Sequence, residues 1–208
     1  MRIAVVGAGS VGATLGQAWL ERGEDVIWGV RNPSDPKYAA LPRERVKTAA
    51  EAAKGAEVVV IATPWSAAEA AIKSLGSLAG KIVIDCMNPL GMGPDGLQLV
   101  LGYNTSAGEQ VASWAPGAFV FKTLNTTGAG NMATAGDFPG KPVMPVAGDD
   151  AGRKPTARGQ ARFRTGGCRA IEERPAAGAD GHVLDRPGDE ARPRARVRVS
   201  AGRQEVMF

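Results

Sequence analysis

Gly7, Gly9 and Gly12 stand in the run GAGSVG, directly after the apolar stretch of residues 2–6 and at the head of a segment with Val11, Leu15 and Trp19 at four-residue spacing. In the order strand, turn, helix, that spacing predicts a dinucleotide-binding turn. Gly7 permits the tight turn, Gly9 lets the backbone approach a pyrophosphate, and Gly12 lets helix and strand pack closely. Ala8, Ser10 and Val11 complete the turn, and the helix N-terminus adds N–H groups and positive potential toward an anion. A glycine-rich turn of some other α/β protein is the plainer alternative.

The end of the second strand chooses between cofactors, because an acid there would bind a ribose 2′-OH and repel a 2′-phosphate. No acid stands there. Arg31 lies 19 residues beyond Gly12, where its guanidinium can pair with a phosphate and stack on adenine. Ser34 adds a hydroxyl donor. The pair fits NADP(H), against the alternative of a solvated loop.

Further candidates cluster where strands end. Thr63, Pro64 and Trp65 would flank the nucleotide, with Trp65 read mainly as packing and secondarily as a stacking wall. Asn88 would reach the nicotinamide ribose or carboxamide. Lys122, Asn125 and Thr126 would meet a second substrate. No nucleophile elbow, paired carboxylates or metal-ligand spacing supports hydrolysis, and the one histidine, His182, lies in an irregular tail. Hydride transfer needs no protein nucleophile, since the cofactor carries that chemistry. No catalytic residue or metal ligand is assigned.

These residues need a scaffold, and the chain predicts one. Residues 2–6, 25–30, 57–63, 81–86 and 118–122 read as strands, and residues 143–148 as a further strand whose Pro145 points to an edge. Helices are predicted after the glycine turn, over 48–54, from a Ser66/Glu69 capping box to Leu75, and from a Ser106/Glu109 box through Trp114. Continuous apolar strands alternating with helices imply a doubly wound parallel α/β sheet, a Rossmann-type NADP-binding domain over residues 1–150.

No apolar run approaches the roughly 20 residues that span a membrane, and the N-terminus lacks a signal-peptide pattern. A cytoplasmic location is expected. Cys86 and Cys168 show neither disulfide nor zinc spacing, and Cys86 is read as a buried strand residue. The net charge of +4 is uneven: residues 151–208 hold 13 Lys and Arg against 7 Asp and Glu, leaving 12 against 14 for residues 1–150.

That basic tail mixes Arg, Ala, Gly and Pro without apolar periodicity. Composition favours disorder over a nucleic-acid arm. A GC-rich gene translated in the wrong frame gives the same composition. With permissible codons, dropping one upstream nucleotide yields an apolar, helix-like peptide containing LLEPMAMFWIDLA. A frameshift near residues 152 to 160 is therefore the favoured reading.

With GAGSVG, WGVRNP, ATPW, DCMNPL, SAGEQVASWAPGAFVFKTLNTTGAGNM and VAGDD in view, residues 1–150 resemble the coenzyme F420-dependent NADP oxidoreductase family. The resemblance implies NADPH bound at Gly7, Gly9, Gly12 and Arg31, with hydride exchanged with a deazaflavin (F420) or flavin-like acceptor. Family members continue past VAGDD with another strand and closing helices, and this chain departs from them after Asp150. β-Hydroxyacid dehydrogenases and pyrroline-carboxylate reductases look similar in the opening unit but need a large helical second domain. The expected partner is a small-molecule redox acceptor; neither membrane nor nucleic acid is expected, and a homodimer is admitted. The rival class is a non-catalytic NADP-binding module or an inactive truncated paralog.

Overall fold

The apolar runs become the strands of one sheet. The computed structural model describes residues 1–102, 104–138, 144–148, 196–198 and 205–207. Within them β1 (Arg2–Val6), α1 (Ser10–Glu21), β2 (Asp25–Val30), β3 (Val46–Thr48), α2 (Ala49–Ala53), β4 (Val58–Ile61), α3 (Trp65–Lys73) and β5 (Ile82–Asp85) follow one another. Then come β6 (Leu90–Gly93), β7 (Gly96–Leu99), α4 (Ala107–Trp114), β8 (Phe119–Lys122), α5 (Ala129–Ala133) and β9 (Ala147–Gly148).

The main sheet has seven strands in the order β3-β2-β1-β4-β5-β8-β9. All neighbours are parallel except β8 and β9, which pair antiparallel. Every residue of β4 and β5 is buried, as expected of central parallel strands covered on both faces. Alternation along β1 divides the core. Ala4 and Val6 join Ala52, Ala68, Ile72 and Val111 from α2, α3 and α4, while Ile3 and Val5 join Leu15 and Trp19 from α1. Each fully buried Val or Ile contributes about 1.5–3 kcal/mol. The predicted doubly wound α/β sheet is the observed one.

The structure departs from the sequence expectations at several places. The Ser66/Glu69 capping box does not form. Pro64 occupies the N-cap of α3 and the helix begins at Trp65, so Ser66 already lies inside it and Glu69 pairs with Lys73 at 2.6 Å. Proline's fixed φ suits a helix entrance, and the helix starts two residues earlier than a Ser66 cap would place it. The Ser106/Glu109 box does form, and Thr48 with Glu51 makes another that the sequence reading missed.

Thr48 also ends β3, an unpredicted short strand beside β2. The predicted edge strand shrinks to β9, consistent with Pro145 supplying no N–H. Residues 90–99, for which the sequence predicts no element, form an antiparallel hairpin of β6 and β7. Leu90 pairs with Leu99 and Met92 with Leu97 on one face of it, and that face is open, Met92 being 79% and Leu97 68% exposed.

The tail carries β10 (Arg196–Arg198) paired antiparallel with β11 (Glu205–Met207). Apart from these two strands, the region 151–208 and the frameshift read within it lie outside the described residues, as does Val143.

Candidate functional site

In the strand order, the chain runs outward from β1 to β2 and β3 on one side, then returns to β4, β5 and β8 on the other. The reversal between β1 and β4 leaves a crevice at their carboxyl ends, the place where open α/β sheets take ligands.

The glycine turn fills that place. Gly7 has φ +98°, and its N–H donates to the Gly29 carbonyl at 2.9 Å. A Cβ on Gly7 would meet the Ala62 carbonyl oxygen at 2.5 Å, and one on Gly12 would collide with the carbonyl of Gly7. Gly9 is different: it caps α1 with ordinary extended backbone, and a Cβ there would meet nothing within 4 Å. Gly7 and Gly12 are thus demanded by the fold. Gly9 faces open space above a helix N-terminus whose first turn holds no acidic residue, which is the geometry an anionic group requires.

Arg31 and Ser34 follow the end of β2 and are exposed. Ser34 is held by its N–H donating to Asn32 Oδ1 at 3.1 Å. Asp35, the acid of this loop, is occupied by Lys37 at 2.8 Å, and that ion pair holds its carboxyl below the usual range.

Thr63 stands beside Gly7 and donates from Oγ1 to Met87 Sδ at 3.4 Å. Trp65 packs against Trp114 with ring centroids 5.4 Å apart. Asn88 and Asn125, assigned on sequence to different ligands, form one unit. Asn88 Nδ2 donates to the Asn125 carbonyl at 3.0 Å, and Asn125 Nδ2 donates to Asn88 Oδ1 at 3.2 Å. Asn88 is exposed and Asn125 half-buried, at the β5 and β8 ends. Thr126 Oγ1 donates to Met144 Sδ at 3.3 Å. Immediately before Asn125, Leu124 takes φ +60°, a left-handed conformation that bulky residues rarely adopt.

Lys122, expected on sequence to meet a second substrate, has its ammonium engaged within the protein. Its Nζ lies 3.1 Å from Asp85 Oδ2 and donates to the Met87 carbonyl. Asp85 is fully buried, and its Oδ1 accepts from the Met87 N–H at 2.8 Å. Oδ2 faces the ammonium off the line of a hydrogen bond and has no hydrogen-bond donor among the described residues. Burial raises the Asp85 carboxyl above the ordinary carboxylate value, and Lys122 opposes that rise. Sequence reasoning passed over Asp85, although an Asp closing the apolar strand IVID was the available signal.

Among the described residues no cluster of His, Cys, Asp and Glu could hold a metal ion, and no helix is long and apolar enough to cross a membrane.

An open parallel sheet with a glycine turn at its switch point defines the Rossmann-type class of nucleotide-binding folds. The sequence model described as NADP oxidoreductase coenzyme F420-dependent matches residues 2–89. Among solved structures, a candidate F420-dependent NADP-reductase from Arthrobacter sp. FB24 is 36% identical, with TM-score 0.67, covering 73% of this chain and 74% of that one. Hypothetical protein SMa0349 from Sinorhizobium meliloti is 25% identical, with TM-score 0.62, over 73% of this chain and 75% of that one. An NADH-preferring ketol-acid reductoisomerase from an uncultured archaeon, 17% identical with TM-score 0.51 over 71% and 42%, shares the fold alone. The chain belongs to the coenzyme F420-dependent NADP oxidoreductase family, a family of oxidoreductases.

Proposed function

We propose that this chain binds NADP(H) at the β1–β4 crevice and exchanges a hydride with a deazaflavin (F420) or flavin-like acceptor. One observation carries the cofactor half: Gly9 leaves open space at a helix N-terminus, while the end of β2 offers Arg31 and no free acid. The α1 N–H groups would hold the pyrophosphate, with Gly7, Ala8, Gly9, Ser10, Val11 and Gly12 as the cradle. Arg31 and Ser34 would take the 2′-phosphate, and Thr63, Pro64 and Asn88 would line the nicotinamide side. When bound, the nicotinamide supplies the hydride. The residues around it position the ring and restrict water.

Family membership and the Arthrobacter relative support the acceptor half. Asn125 and Thr126, beside Asn88 at the β8 end, would meet the acceptor, and a cytoplasmic setting suits this chemistry. The deciding experiment is loss of NADPH absorbance with F420, then with FMN, as the added acceptor. Turnover with F420 supports the full reading, and turnover with FMN alone moves the acceptor to flavins. NADPH binding without turnover on either leaves a non-catalytic nucleotide-binding module.

A further inference from the structure

The ladder between β5 and β8 has three apolar rungs, Ile82 with Phe119, Val83 with Val120 and Ile84 with Phe121, and then one ionic rung, Asp85 with Lys122. That rung is the last before the carboxyl edge. A buried ion pair is a poor device for stability alone, because an apolar pair of similar volume often serves as well or better. The charges do something an apolar rung could not. Asp85 Oδ1 accepts the Met87 N–H at 2.8 Å, and Lys122 Nζ donates to the Met87 carbonyl. Both backbone polar groups of Met87, one step past the sheet ladder, are therefore held by a single ion pair.

Met87 is the hub of the edge. Its Sδ accepts from Thr63, which stands against Gly7, and its carbonyl belongs to the peptide that carries Asn88 onward to the bridge with Asn125. We propose that Asp85 and Lys122 are positioning residues: they clamp the Met87–Asn88 peptide and so aim the Asn88 amide at the nicotinamide end of the crevice. This rests on the NADP(H) reading above.

The clamp is at the nicotinamide side, whereas Arg31 is beyond β2 on the other, so the two halves of the cofactor report separately. The test uses the full chain carrying Asp85→Leu with Lys122→Met, an apolar exchange that leaves no buried charge unpaired, alongside Lys122→Arg, which keeps a donor. Adenosine 2′-phosphate and NADPH are titrated into each by calorimetry, and amide hydrogen exchange is followed at Met87 and Asn88. The expected result is unchanged adenosine 2′-phosphate affinity in the double variant, NADPH binding weakened by at least about tenfold, faster exchange at both amides, and recovery of much of the loss in Lys122→Arg. Unchanged NADPH affinity with unchanged amide exchange in a folded double variant overturns the clamp. Should the double variant not fold, Lys122→Arg against Lys122→Met carries the same comparison. Failure of the wild-type chain to bind either nucleotide instead rejects the NADP(H) reading, and the amide exchange still judges the clamp.

Discussion

Trp28 Nε1 donates a 3.0 Å hydrogen bond to the carbonyl of Gly12, tying the middle of β2 to the third glycine of the turn. The same indole lies where a Cβ on Gly16 would fall, at 2.5 Å from Nε1. Alanine favours a helix interior over glycine by about 1 kcal/mol, but overpacking a rigid, fully buried ring costs about 1–3 kcal/mol. Packing should win. Gly16→Ala is expected to lower stability by up to about 2 kcal/mol in urea unfolding, and a stabilised variant would mean that α1 can slide off Trp28.

The three glycines of the turn should separate in the laboratory. Gly9→Ala meets no atom and loses only a glycine N-cap, so its unfolding free energy should stay within about 1 kcal/mol of wild type while NADPH affinity drops at least about tenfold. Gly12→Ala collides with Gly7 and should lose about 1–3 kcal/mol of stability before any ligand is added. Paired calorimetry and urea titration distinguish the two patterns, and a Gly9→Ala chain with undiminished NADPH affinity would contradict a pyrophosphate at that point.

Arg31 makes no hydrogen bond or ion pair among the described residues and is exposed, so removing it should not touch the fold. A charge-assisted hydrogen bond contributes about 1.5–3 kcal/mol, or roughly ten- to a hundredfold in affinity. Arg31→Ala is therefore expected to weaken NADPH by that factor and leave NADH unchanged. Equal loss for both nucleotides in fluorescence titration would take the 2′-phosphate away from Arg31.

Much of this scaffold was legible because its signals are local. The apolar runs of β1, β4 and β5, the glycine turn and the Ser106/Glu109 box each announce themselves within a few residues. What escaped depended on distant partners. β3 is three residues long and is a strand only because Trp28, Gly29 and Val30 lie alongside. The β6–β7 hairpin contains glycines and a proline that read as loop, and its apolar face alternates for only two rungs. Asn88 and Asn125 were each picked from strand ends, but their mutual bridge spans 37 positions, which no periodicity encodes. Asp85 looked like the polar end of a strand until Lys122 was placed beside it.

Cys86 is buried in the core cluster with Ile82 and Ile84, and burial pushes its thiol far above the ordinary cysteine value. The thiolate is the reactive form. In a Cys168→Ser background, Cys86 should resist iodoacetamide in native buffer and react fully in denaturing urea. Rapid native labelling, read by intact mass, would show that the β5 end opens.

Asp85 predicts a pH dependence whose direction is fixed by its surroundings. Burial raises its folded carboxyl above the unfolded value, with Lys122 and the Met87 N–H only partly offsetting this. The folded state therefore holds this proton to higher pH than the unfolded state, and stability is lost as pH rises through the folded value. Asp85→Asn cannot titrate and keeps an oxygen for the Met87 N–H. Measured by urea midpoint, the stability of Asp85→Asn relative to wild type should rise with pH from the ordinary carboxylate range and level off above the raised value. The opposite trend would mean that Lys122 outweighs burial and that the carboxyl is depressed, making the ion pair a net source of stability at neutral pH.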